Sequence, residues 1–201
     1  GKIYDESTKR NLARGRSIEQ LVAGSYWAAI KVDGLAQLID DFTINVKEVI
    51  NSSISVGNIH RAYSLIVNNK ILDCLDFSVK ELKNSDYANY YLSRVNITGR
   101  LYDMIMNLVK LTDKETGNAR AGIIAAAIYL VSDKNKIKFR PELKRISNNI
   151  KANTGNKLVK TTKNKKTNSK FITQTLVADY MHVTEVTVRT QAKKLRVLLG
   201  L

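Results

Sequence analysis

The chain has 201 residues, 44% of them apolar, which is enough to bury a sizeable core as one large domain or two small ones and excludes a disordered tail. Lys and Arg number 33 against 18 Asp and Glu, and the resulting formal charge of +15 sets up a field that favours polyanions, nucleic acid above all. The single cysteine, Cys74, excludes an intramolecular disulfide and fits a reducing compartment; no apolar run reaches the length of a membrane span, and the start carries no secretory signal.

The opening "GKIYDESTKRNLARGRS" reads as a chain entered partway through a helix. Ser17, with Gln20 three residues on, forms a capping-box start, and Ile18, Leu21, Val22, Ser25 and Ala29 then recur with the spacing of one buried helix face. Runs of alternating strand type are nearly absent, so the expected class is all-α. The helix "RSIEQLVAGSYWAAIKV" has a counterpart in "NARAGIIAAAIYLVSDK", aligned without a gap at an offset of 102, which sets Tyr129 on Trp27 and Ile123 on Leu21. Small residues around one large aromatic let neighbouring helices approach closely, so each reads as the central, surrounded helix of a bundle.

Downstream of each lies a second matched pair, "INVKEVINSSISVGNIHRAYSLIV" and "ITQTLVADYMHVTEVTVRTQAKKL". Setting Ser55 on Thr184, an offset of 129, gives in both a short helix, a tight turn, a capping hydroxyl and a longer helix: a helix-turn-helix used twice. The excess of 27 residues between the two offsets falls in residues 133–170, a Lys-rich stretch ending in "KTTKNKKTNSK". It reads as a solvated excursion with a short helix near its start, which Pro141 could open from the first helical position.

The last helix carries the most chemistry. Val188, Ala192, Leu195 and Leu199 are spaced to face the core, which turns Val186, Arg189, Lys193 and Arg196 outward. An Arg can give a guanine two parallel hydrogen bonds in the major groove, and a nearby Val can pack on a thymine methyl; such a pair one turn apart suits base reading. Catalysis finds no comparable constellation. His60 and His182 lack metal-spaced partners, Cys74 has no adjacent His, and "TGNKLVK" lacks a phosphate-loop pattern. The expectation is therefore no enzyme, no catalytic or metal-ligating residue, no cofactor and no small-molecule substrate.

"RGRSIEQLVAGSYWAA", "AGIIAAAIYL" and above all "TEVTVR" followed by "LGL" resemble the core domain of the transcription factor B family, archaeal transcription factor B and eukaryotic TFIIB, with wording nearer the archaeal branch. That resemblance implies two cyclin-like repeats bound to the TATA-binding protein on promoter DNA, with RNA polymerase as a further partner. It implies a first repeat at 1–72 lacking its N-terminal part, a linker at 73–85 and a second repeat at 86–201 that holds the insertion, with no counterpart of the family's zinc ribbon. Val186 and Arg189 are then the expected base contacts. Thr184, Thr187, Lys193 and Lys194, with His60 and Arg61 of the first helix-turn-helix, are the expected contacts to the DNA backbone. His60 stands where the family usually has Gly, placing a side chain at a position suited to close backbone approach. Residues 86–94, "DYANYYLSR", are the expected face toward the TATA-binding protein. The location implied is the archaeal cytoplasm and nucleoid, or the nucleus for a eukaryotic chain. A cyclin-like adaptor that binds only proteins and a stand-alone helix-turn-helix regulator are the alternative readings.

Overall fold

In the computed structural model residues 1–50, 53–114, 120–134, 140–153 and 172–200 are described, and every regular element among them is a helix. The chain divides into two compact units, residues 1–82 and 83–201.

The first unit holds α1 (Lys2–Lys9), α2 (Ile18–Asp33), α3 (Ile39–Ile50), α4 (Val56–Asn68) and the single turn α5 (Ile71–Cys74). Helix α2 starts where Ser17 Oγ accepts from the Gln20 amide, and it stops at Gly34, whose φ of 73° is a left-handed conformation open to glycine without a steric penalty. Its main neighbour is α4, and the two approach closely because Gly24 lies against Ala62; a Cβ added at Gly24 would collide with it. The buried face of α2 is rotated from the expected one. Leu21 and Ser25 are buried, together with Ala23, Trp27, Ala28 and Ile30, but Ile18 is 61% and Val22 40% exposed. Trp27 sets this rotation: its ring lies 5.1 Å from that of Phe42 on α3, and burying two large rings outweighs burying a Val. Residues 71–77 pack as part of this unit, with Ile71 and Leu72 buried and Leu75 and Phe77 against the same cluster.

The second unit holds α6 (Asn84–Arg94), α7 (Gly99–Lys110), α8 (Arg120–Lys134), α9 (Arg140–Asn153), α10 (Gln174–Tyr180) and α11 (Glu185–Leu198). Helix α8 is the surrounded helix the sequence implies: Ala121 through Ile128, then Leu130, Val131 and Ser132, are all buried. Gly122 admits α11, since a Cβ there would stand 2.7 Å from Thr187 Cγ2. Tyr180 ties α10 to α6 by donating to the Tyr91 carbonyl at 2.7 Å.

Helix α9 corrects the reading of 133–170 as a solvated excursion. Leu143, Ile146 and Ile150 are buried to 2% exposure or less, and Asn149 donates to the Val95 carbonyl at 2.9 Å. Spaced three and four apart, these apolar residues form one stripe, and α9 uses it to pack on α10. High lysine content masked that stripe in the sequence. The tract after Asn153, to residue 171, lies outside the described residues.

Candidate nucleic-acid interface

The two positions matched by internal comparison are both helix N-caps. Ser55 Oγ accepts from the Asn58 amide at 3.2 Å to open α4, and Thr184 Oγ1 accepts from the Thr187 amide at 3.1 Å to open α11. The turn from α10 to α11 is a closed motif: His182 takes a left-handed φ of 52°, and the amides of His182 and Val183 donate to the carbonyls of Asp179 and Ala178. The last carbonyls of α10 are thereby satisfied, and the direction of α11 is set. Beneath the turn, burial pushes the Asp179 carboxyl above its ordinary value of 3.8, with Glu185 adding to the rise and His182 opposing it.

Helix α11 buries Val188, Gln191, Ala192 and Leu195 and turns Val186, Arg189, Lys193 and Arg196 to solvent, with Val186 at 66% exposure. Leu199 does not complete the core stripe as expected. It is 41% exposed because the helix ends at Leu198, one turn beyond the last buried neighbour, Leu195. Arg189 is not loose: its Nε donates to Gln174 Oε1 at 2.9 Å and its Nη2 meets Glu185 Oε2 at 3.2 Å, while Thr175 donates to the other Glu185 oxygen at 2.7 Å. Such an exposed pair contributes little, so a nucleic-acid ligand could displace Glu185 at small cost. Glu185, one turn back on α11, and Gln174, on α10, thus hold the guanidinium; the Gln174 contact crosses between two helices, so spacing along the chain hides it.

The expected backbone contacts fall into two groups. Lys193 and Lys194 are exposed, and so are His60 and Arg61 on α4. The hydroxyls of Thr184 and Thr187 face each other at 2.9 Å within the cap, and the Thr187 methyl lies against Gly122, so both threonines already serve the start of α11. On α6, Asp86, Asn89, Tyr90, Ser93 and Arg94 form one exposed stripe while Tyr87 and Tyr91 are buried. In the first unit His60 and Arg61 share a groove with Arg14 and Arg16, which the sequence reading quoted only as the lead into α2. Among the described residues no three His, Cys, Asp or Glu side chains are grouped to hold a metal ion, and no helix is long and apolar enough to cross a membrane.

No family model matches the chain. It is 25% identical over 203 aligned positions to transcription initiation factor IIB of Aeropyrum pernix, covering 100% of this chain and 51% of that protein. The same figure of 25%, over 205 positions and 54% of the relative, holds for the protein of that name from Pyrococcus abyssi. The one from Sulfurisphaera tokodaii is 31% identical over 137 positions, which are 65% of this chain and 40% of that protein. The chain therefore spans about half the length of the curated relatives it matches end to end. With helices as its regular elements among the described residues and a match along its whole length, this chain is similar to archaeal transcription initiation factor IIB.

Proposed function

We propose that the chain is the promoter-binding core of a general transcription initiation factor, non-enzymatic, which recognises DNA held by the TATA-binding protein and helps to recruit RNA polymerase. The observation that carries this reading is the outer face of α11, where Val186, Arg189, Lys193 and Arg196 stand exposed on the second helix of a helix-turn-helix. A helix so presented fits the major groove, with Val186 and Arg189 at base edges and Lys193 and Lys194 at phosphates. The element read is the one upstream of the TATA box, and the exposed stripe of α6 faces the TATA-binding protein. The kink that this protein puts into DNA brings the two flanks together, so two cyclin-like repeats can bind both, each weakly alone. The archaeal relatives imply action in the cytoplasm, on the nucleoid.

A gel-shift series on a TATA promoter, with and without the TATA-binding protein, tests the reading. A complex that forms only with all three components supports it. Tight binding to one sequence without the TATA-binding protein would instead mark a stand-alone regulator, and weak binding indifferent to sequence in both arms would mark a protein-only adaptor.

A further inference from the structure

Two arginines of this fold have a carboxylate partner: Arg10 meets Glu6 at 3.1 Å and Arg189 meets Glu185 at 3.2 Å. Two arginines of the first unit are held differently. Arg16 Nη1 donates to the carbonyls of Arg14 at 3.2 Å and Leu12 at 3.4 Å, and Arg61 Nε donates to the Gly57 carbonyl at 3.2 Å. Neutral carbonyls fix these guanidiniums in place and leave their charge uncompensated. Both line one groove of about 600 Å³, together with Arg14, Gln20, His60 and Asn68. None of the lining residues is an Asp or Glu. The nearest acid in sequence, Glu19, is instead engaged at the start of α2, where its own amide and the Ser17 hydroxyl hold its carboxyl below the ordinary range.

The turn that forms one wall has Gly15 between Arg14 and Arg16 at a φ of 74°, a left-handed conformation open to glycine without a steric penalty. The opposite wall is α4, where Asn58, Arg61, Leu65 and Asn68 recur at helical spacing. Gln20, Asn58 and Asn68 line the same groove as the three arginines. Fork-shaped donors with unbalanced charge, in a groove with neutral amides and without an acid, suit the two free oxygens of a phosphodiester.

We infer that the groove between the Arg14–Arg16 turn and α4 is a phosphate-binding cleft for the backbone of nucleic acid. It grips without reading sequence, because phosphate contacts carry no base identity. The inference rests on the reading of the chain as a DNA-binding core and extends it to a surface whose arginine pair, Arg14 and Arg16, lies outside both helix-turn-helix segments.

The experiment measures affinity of the whole chain for a short duplex across a salt series, with matched and scrambled upstream elements. Arg14→Gln/Arg16→Gln should lower the slope of log affinity against log salt by about two and weaken both duplexes alike. Lys2→Gln/Lys80→Gln removes two exposed cations of the same unit outside the groove and should leave the slope almost unchanged; an equal fall would mean a diffuse field and overturn the inference. Arg14→Lys/Arg16→Lys keeps the charge and should keep most of the slope; loss equal to the Gln pair would trace the effect to folding and also overturn it. An unchanged slope in the Gln pair, with Arg189→Ala still impairing the matched element, rejects the cleft and leaves the reading of α11 standing. A parent chain with no affinity for DNA in either duplex rejects both.

Discussion

At the scale of single residues, Arg189 and Lys193 share one face of α11 but are expected to fail differently. Arg189→Ala should cost about 1–3 kcal/mol of promoter binding and relax preference at one upstream base pair, since a bidentate contact carries base identity. Lys193→Ala should weaken matched and scrambled elements alike and lower the salt slope by about one. Equal losses on both elements for Arg189→Ala would place α11 on the backbone. Asp179 offers a test by pH. Its carboxyl is raised above 3.8 in the folded chain, so the folded state holds the proton more tightly than the unfolded one. Stability is therefore gained as pH falls through the folded value and is lost again as pH rises, the reverse of a paired carboxylate. Asp179→Asn should accordingly raise the melting temperature at neutral pH, with an increment that shrinks as pH approaches 4. An increment that is flat with pH would mean that Asp179 is relaxed in the fold.

At the scale of elements, α9 and the tract behind it are expected to part company. Ile146 and Ile150, 2% and 0% exposed, lie in the stripe that packs on α10, so Ile150→Ala should cost about 2–5 kcal/mol of folding free energy, read from denaturant unfolding. Deleting residues 154–170 removes none of the described packing and should leave that midpoint in place. If its lysines meet phosphates, the deletion should lower the salt slope of DNA binding without changing base preference; an unchanged slope makes the tract passive. Helix α9 was half-legible in the sequence. Pro141 marked a start, but Lys, Arg and Asn outnumber the apolar residues of this helix, and only the partner α10 shows that three of them suffice to anchor it. The rotated face of α2 failed for a related reason: periodicity ranks Ile18 and Val22 with Leu21, and the neighbour Phe42 decides which of them is buried.

At the scale of the whole molecule, each unit closes its own core. Tyr87, Tyr91, Leu92, Ile123, Ile124, Ile128, Ile150 and Val188 are buried and all belong to residues 83–201. A fragment of residues 83–201 should therefore fold with a cooperative melt and retain preference for the matched upstream element in the presence of the TATA-binding protein, at reduced affinity. A fragment that is helical but melts without cooperativity would show that its packing depends on residues 1–82.

The chain alone determined the helical class, the capping roles of Ser17, Ser55 and Thr184 and the outward stripe of α11, because these depend on spacing and local hydrogen bonding within a few residues. Tertiary structure decided what depends on a distant partner. It chose the buried face of α2 through Phe42, made α9 part of the core through α10, ended the core stripe of α11 before Leu199, and set Arg14 and Arg16 beside His60 and Arg61, which lie more than forty positions away in the chain. Periodicity states that a helix has an apolar face, and which residues that face buries is fixed by the shape of what packs against it.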